Sequence, residues 1–424
     1  MTETLALGER PTIPILTADE VSSRAAAALR EARERLEKIA RLPLETATAD
    51  SVLEAWDDAA IVMEDAFGPI SLLNSVHPAA AVRDAADRAL IDESVFMTEL
   101  FQNEQLFERV QRVAPRTAAQ KQLQKDLIES FEDSGVALPP EKRERFRAIS
   151  ERLTELAQEF AKNIRENKTV LHLSPEECKG LPESYLERVQ KDGEGNIVVG
   201  FDYPDYVPFL MNSQSEEARK RYYIANTNRG TLRNVEILNE IVALRKEIAD
   251  LYGVPSYAHY VTKRRMVENP ETVTRFLDEV KSAVTDAELR DLDQLREIKS
   301  EMTGLAVEQV KIERWDMLFY RERLRERRYA VDQEELRKYF PTVPTLHWML
   351  DITQRLYGIR FEEAFVPIWH EDVLYLDVKD AESGKLIGGI YLDLYPRADK
   401  YKHAAAWPVR GVSLRASRKP ISAL

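Results

Sequence analysis

Apolar residues at helical spacing constrain the fold of this 424-residue chain more than any other feature. Behind Pro139 and Pro140, apolar positions recur every three or four residues, which places them on one face of a long helix with charged residues opposite. The same spacing ends at Gly253 and begins again after Pro270. The sequence therefore predicts a mainly α protein built around long helices. The first of these faces consists of Phe146, Ile149, Leu153, Leu156, Phe160 and Ile164.

Local signals mark a helix start and two regions without helical spacing. Thr17 and Glu20 form the pattern of a capping box, in which the hydroxyl and the carboxylate bond the first backbone N–H groups of a helix. Glycines surround residues 196–199, which predicts a short strand or hairpin. From residue 373 to 395 the apolar period changes to two around a glycine-containing loop at 380–384, which predicts a β-hairpin. We therefore expect a small antiparallel sheet near the C-terminus.

Composition excludes several classes of function. The net charge of −13 argues against a nucleic-acid-binding protein, which needs a basic face. No apolar run approaches the roughly 20 residues that span a bilayer. The single cysteine, Cys178, excludes an internal disulfide and fits a reducing compartment, and the N-terminus lacks the pattern of a secretory signal. We expect a cytoplasmic protein without a nucleic-acid or membrane partner.

Residues 389–405 carry the sequence GIYLDLYPRADKYKHAA. This segment closely resembles one in the thimet-oligopeptidase family of zinc metallopeptidases, family M3. Further segments resemble the same family in its order along the chain, from about Thr17 to Leu424. An ordered series of this kind is more specific than any one of its members. The series includes His77-Pro78, residues 203–206, residues 253–260 and Trp315-Asp316.

The resemblance implies a mainly α protein with two lobes around a deep channel that admits short peptides. In that family, zinc is held by the two histidines of an H-E-x-x-H motif and by a glutamate on a following helix. No H-E-x-x-H occurs in this sequence. We therefore expect the chain to be the N-terminal, channel-forming part of such an enzyme, ending inside a structural element and inactive alone. Its catalytic C-terminal part is the expected partner.

The resemblance also suggests three regions: an N-terminal extension over 1–16, the helical lobe of the zincin-like fold over 17–370, and a hairpin segment over 371–424. The last would border the catalytic region. Zinc is the cofactor of the family, and none is expected to bind this chain. Neither catalytic nor metal-binding residues are therefore assigned to it.

One segment comes close to a zinc motif. His370-Glu-Asp-Val-Leu374 has leucine where the second histidine ligand belongs, and it leads into period-two alternation, which points neighbouring side chains to opposite faces. We expect a loop histidine before a strand. The other five histidines include no two at the i, i+4 spacing of helical ligands.

Three residues are candidates for peptide binding: Tyr391, Tyr395 and His403. Tyr391, Asp393 and Tyr395 would share one face of the C-terminal strand because i, i+2 and i+4 project together. Zinc peptidases generally hold extended peptides on a strand edge, so this face would hold peptide. The alternative is a half-exposed face that meets the catalytic part. His403 follows the same segment, and its alternative is a structural hydrogen bond.

Three functions remain open on the sequence. The first is the channel-forming part of a zinc-dependent oligopeptidase. The second is a non-catalytic peptide-binding protein that retains the channel wall, and the third is a helical interaction scaffold. Activity against short peptides, zinc content and self-association distinguish them.

Overall fold

The computed structural model describes residues 10–330 and 333–424. Its contacts divide the chain into two compact units, each built from separated segments. Unit 1 comprises Met1–Ala161, Ile241–Gly253 and Met349–Leu424, and unit 2 comprises Lys162–Glu240 and Val254–Trp348. The two units are described separately below.

Unit 1 begins with a group of helices whose order follows the chain. The capping box is confirmed, since the Thr17 hydroxyl accepts from the Glu20 amide and the Glu20 carboxylate accepts from the Thr17 amide. Helix α1 buries small residues such as Ala25 and Ala32, which lets α2 and α3 lie close to it. These helices are α1 (Ala18–Ala40), α2 (Ala55–Val76, after a π-turn at Asp50–Glu54), α3 (Ala80–Leu100), α4 (Glu104–Arg112), α5 (Ala118–Asp133) and α6 (Pro140–Arg165), which continues into unit 2.

Unit 2 contains a second set of helices and a small sheet. Strands β1 (Leu171–Leu173), β2 (Gln190–Lys191) and β3 (Ile197–Val199) pair in the order β1-β3-β2, so the predicted strand at 196–199 is confirmed. The helices are α7 (Glu183–Arg188), α8 (Tyr203–Asn212), α9 (Glu216–Thr227), α10 (Thr231–Leu251), α11 (Tyr257–Thr262), α12 (Pro270–Thr303), a 3-10 turn (Val307–Gln309), α13 (Met317–Tyr329), α14 (Gln333–Arg337) and α15 (Thr342–Tyr357); α10 and α15 continue into unit 1.

A buried ion cluster holds helices of unit 2 together. The Arg219 guanidinium donates to Asp316 at 2.8 Å, and the Lys299 ammonium donates to the other oxygen of Asp316 at 2.6 Å. All three side chains are buried. The guanidinium also lies 4.1 Å above the Phe319 ring. Because each charge has a partner, the cluster joins α9, α12 and the start of α13 without an uncompensated buried charge.

The C-terminal part of unit 1 is a five-stranded sheet in the order β4-β5-β6-β8-β7. The predicted hairpin at 373–395 is confirmed as β5 and β6, which pair Tyr375 with Tyr391. Most pairings are antiparallel, but β6 and β8 are parallel. Gly68 of α2 allows β7 to lie against the helix, because any Cβ there would collide with the Val409 carbonyl. The strands are β4 (Ile359–Glu363), β5 (Leu374–Asp380), β6 (Leu386–Leu392), β7 (Trp407–Arg410) and β8 (Ile421–Ala423).

The N-terminal segment lies against this sheet. Residues 1–9 of the predicted extension over 1–16 are outside the described residues. From there on, the Arg10 guanidinium pairs with the buried Asp377 carboxylate of β5 at 2.9 Å. The Ile13 amide and the Pro11 carbonyl are bonded to tyrosine hydroxyls of β6 and β5. Ile13 is buried in the main core of unit 1.

The mainly α fold with a small antiparallel sheet near the C-terminus is therefore confirmed. The chain positions of the three predicted regions, with boundaries at residues 16 and 370, stay predictions. No helix among the described residues is both long enough and apolar enough to cross a membrane.

Candidate functional site

The region that carries the candidate peptide-binding residues begins in β6. Gly389 in that strand allows the Tyr375 ring to lie across it, because a Cβ at residue 389 would be 2.8 Å from ring carbons of Tyr375. The parallel partner of Gly389 is Ile421 of β8. The strand that carries Tyr391 is therefore an interior strand, paired with β5 and β8. A peptide cannot pair with its edge, because both edges are already bonded within the sheet.

Tyr391 lies in the core of unit 1. Its side chain has no exposed surface, and its hydroxyl accepts a hydrogen bond of 2.9 Å from the Ile13 amide. The Tyr391 ring centroid is 5.1 Å from that of Trp369 and 4.9 Å from that of Tyr375. Burial raises the pKa of the Tyr391 hydroxyl to about 12. In this structure the side chain therefore supports the sheet and the N-terminal segment, and its assignment to peptide binding stays a prediction.

Asp393 follows directly after β6 and is also buried. The Arg397 guanidinium donates to both oxygens of its carboxylate, at 2.7 and 2.9 Å. The Lys400 ammonium and the Trp369 indole N–H each donate to it at 2.9 Å. Burial works to raise the pKa of Asp393, but these donors outweigh burial and hold the pKa below its usual value. The carboxylate is therefore ionised and fully bonded.

The same cations also bind main-chain oxygens. Lys400 donates to the carbonyls of Asp393 and Tyr395, at 2.6 and 2.9 Å. Arg397 donates to the Val76 carbonyl at the end of α2. We call Asp393, Arg397, Lys400 and Trp369 the Asp393 cluster. It fixes the course of the segment that follows β6.

Tyr395 and His403 lie in that segment and reach solvent. The Tyr395 residue is 43% exposed, and His403 is exposed as well. The His403 ring centroid is 6.0 Å from that of Tyr401, which in turn is 5.6 Å from that of Trp407 in β7. The predicted common face of Tyr391, Asp393 and Tyr395 is thus divided: the first two are buried and in contact with Trp369, whereas Tyr395 is exposed.

The described residues do not fit a zinc site of the family's kind. They include no group of three or more histidine, cysteine, aspartate or glutamate side chains that could hold a metal ion. His370 lies in the loop before β5, and its Nδ1 atom accepts from the Asp372 amide at 3.3 Å. Zinc sites need at least three protein ligands, so no chemistry through zinc is derived for this chain.

Sequence reasoning identified Asp393 as a member of a strand face but missed its partners. Trp369 lies 24 positions earlier, and nothing in the local pattern connects it to the carboxylate. Arg397 and Lys400 are separated from Asp393 by four and seven positions, in a segment without regular structure. An i, i+4 pairing of opposite charges was the one available signal.

Comparison with known proteins identifies the class. Oligopeptidase A of Salmonella typhimurium is 30% identical over 380 residues, which are 84% of this chain and 55% of that protein. Oligopeptidase A of Escherichia coli is 30% identical over 404 residues, 90% of this chain and 58% of that protein. The thimet-like oligopeptidase of Dictyostelium discoideum is 29% identical over 393 residues, which are 88% of this chain and 58% of that protein. The relatives are thus peptidases, and this chain spans little more than half of their length.

The model of peptidase family M3 matches residues 209–420. This chain belongs to peptidase family M3. The matched range contains the Asp393 cluster and both exposed candidates, Tyr395 and His403. The resemblance inferred from the sequence is confirmed.

Proposed function

We propose that this chain is the peptide-holding part of a zinc-dependent oligopeptidase that hydrolyses short peptides. One observation carries the proposal: the segment after β6, within the range matched by the family, presents Tyr395 and His403 to solvent on a backbone that a buried charge cluster fixes. A fixed backbone loses little conformational entropy when a ligand binds. Exposed aromatic and imidazole groups offer a peptide both apolar contact and hydrogen bonds.

In this proposal the peptide is held by side chains after β6, because β6 itself has no free edge. Tyr395 contributes ring surface, and His403 contributes a hydrogen-bonding ring beside Tyr401. Tyr391 contributes indirectly, through the core that supports the sheet. Substitution of Tyr395 or His403 is then expected to weaken peptide binding, whereas a conservative change of Tyr391 acts on stability.

Hydrolysis in this proposal needs residues that this sequence does not contain. The described residues include no set of metal ligands, and the chain has no H-E-x-x-H. The zinc of the family and the base that activates water would come from a catalytic part supplied as a second polypeptide or as further sequence. We keep a cytoplasmic setting as a prediction.

A second candidate function is that of a peptide-binding or scaffold protein that acts through partners. Helix α12 favours it, because apolar side chains at helical spacing are solvent-exposed on that helix, including Phe276 at 62%. Exposed apolar patches of more than a few hundred Å² mark sites that bind partners. The catalytic part of an M3 peptidase, which is the partner in the first proposal, is one protein that could bind such a patch.

The test compares the chain alone with the chain co-expressed with the C-terminal part of the Escherichia coli relative. An internally quenched short peptide reports cleavage, and metal analysis reports zinc. The chain alone is expected to hold no stoichiometric zinc and to show no chelator-sensitive cleavage. Co-expression is expected to give a complex that cleaves the peptide. Addition of a chelator is expected to stop this cleavage. The C-terminal part alone is the control.

Two results would contradict the proposal. One tightly held zinc in the chain alone, together with chelator-sensitive cleavage, would place the catalytic machinery in this sequence. A failure of the two parts to co-purify, together with the lack of any peptide binding by the chain, would favour the scaffold function.

A further inference from the structure

The segment from Asp393 to His403 has almost no regular secondary structure, yet it is attached to unit 1 at many points. The Tyr401 amide donates to the Ser75 carbonyl at the end of α2 at 2.9 Å. The Asp393 amide donates to the Leu424 carbonyl at 2.8 Å. Asp399 pairs with the buried Arg83 guanidinium of α3 at 3.3 Å. Main-chain and side-chain bonds thus tie the segment to α2, α3 and the last residue of the chain.

The bonds within the segment converge on one carboxylate. Three cations of the segment bind main-chain carbonyls. One of them, Lys402, donates to the Arg397 carbonyl. The other two, Arg397 and Lys400, also bind Asp393. The carboxylate is buried, and so are most of the stems of both cations. Its third partner, Trp369, belongs to the loop before β5 and contacts the Tyr391 ring. If the carboxylate lost its charge, both cations would lose the group that draws them into the protein.

We propose that Asp393 is a positioning residue for peptide binding, which fixes the exposed Tyr395 and His403 through Arg397 and Lys400 without touching the peptide. Only the peptide-binding part of this statement rests on the proposed function. The ordering of residues 394–403 is independent of it and has its own measurement.

Asp393→Asn is the decisive variant, because the amide keeps the shape of the carboxylate and removes its charge. Asp377→Asn is the matched control. Asp377 is a buried carboxylate in β5, and its carboxylate accepts two hydrogen bonds from the guanidinium of Arg10, which lies outside the segment. Both changes leave a buried or part-buried cation without its counter-charge, so both lower stability. Only Asp393→Asn is expected to free residues 394–403 from their fixed positions.

Two quantities are measured on each full-length protein: hydrogen exchange of the amides from 394 to 403, and the Kd of a fluorescent short peptide. In Asp393→Asn, exchange in the segment is expected to rise and the Kd to increase, each by about tenfold or more, because charged hydrogen bonds in a buried site are lost. In Asp377→Asn, both quantities are expected to stay within about twofold of the wild type, because its bond to Arg10 shares no partner with the Asp393 cluster.

Lys400→Met serves if Asp393→Asn does not fold. It removes the bond to the Tyr395 carbonyl and leaves the pair of Asp393 and Arg397 in place. In Lys400→Met, exchange at residues 394–403 and the Kd of the peptide are both expected to rise, but by less than in Asp393→Asn. Unchanged exchange at 394–403 in a folded Asp393 or Lys400 variant overturns the proposal, as does an equal rise in Asp377→Asn. If the wild type binds no peptide, the proposed function fails, and the exchange data alone decide whether Asp393 positions the segment.

Discussion

Replacing Tyr391 by phenylalanine tests whether this side chain supports the core. The change removes one oxygen, the acceptor for the Ile13 amide. Ile13 is fully buried, so its N–H would be left without a partner and without water. An unpaired buried donor costs about 1–3 kcal/mol. We expect the free energy of unfolding to fall by that amount.

Tyr375→Phe is the matched comparison on the neighbouring strand. The Tyr375 hydroxyl donates to the Pro11 carbonyl at 3.0 Å, so its loss leaves an acceptor rather than a donor unpaired. Carbonyls with an unused lone pair are tolerated more readily than orphaned N–H groups. We expect the loss for Tyr375→Phe to be smaller, about 0.5–1.5 kcal/mol, the usual net value of one hydrogen bond.

Urea unfolding of the three proteins measures these differences, and hydrogen exchange at Ile13 locates them. Exchange at Ile13 is expected to rise about tenfold for each 1.4 kcal/mol lost in the Tyr391 variant. The affinity for a short peptide is expected to stay unchanged, because the ring remains in place. An unfolding free energy within about 0.3 kcal/mol of the wild type would refute the core role. Reduced peptide affinity at unchanged stability would restore the direct binding role.

Three further predictions concern other sites. Gly389→Ala is expected to lower the urea midpoint by the equivalent of about 1–3 kcal/mol, because the new methyl group displaces Tyr375, whereas Gly193→Ala, with open space around it, stays near the wild type. Burial raises the pKa of Glu93 to about 7. The protonated group favours the folded state below its ordinary pKa, and this contribution is lost as pH rises towards 7. Glu93→Gln is therefore expected to be more stable than the wild type at pH 8, with a smaller difference at pH 5, in parallel urea titrations; equal differences at both pH values would contradict it. Burial also raises the pKa of Cys178 to about 11, so a thiol reagent at pH 8 is expected to react only as fast as the protein opens, and rapid labelling of native protein would show otherwise.

The sequence predicted those elements whose signals are local. The capping box at Thr17 and the alternation from 373 to 395 depend on residues within a few positions of one another, and both elements are present. The parallel pairing of β6 with β8 could not be predicted from local signals, because it joins Gly389 to Ile421 across an irregular segment and strand β7. Local periodicity indicates that a strand forms, but it does not identify a partner that lies far away in the sequence.

The candidate site shows the same limit. Period-two spacing placed Tyr391, Asp393 and Tyr395 on one face, but it could not show that β6 ends at Leu392 or that the face is covered. Trp369 and Ile13 cover that face from distant parts of the chain. Tyr395 lies three residues beyond the end of β6 and is 43% exposed.

The most direct test of the peptide-holding role is a titration of the full chain against a fluorescent short peptide, followed by anisotropy. The wild type is expected to bind the peptide, and Tyr395→Ala is expected to raise the Kd by about tenfold, the effect of losing an aromatic contact at a binding site. Tyr357→Ala, at another exposed tyrosine of unit 1, is expected to leave the Kd unchanged. No binding by the wild type, or equal affinity of wild type and Tyr395→Ala, would contradict the account.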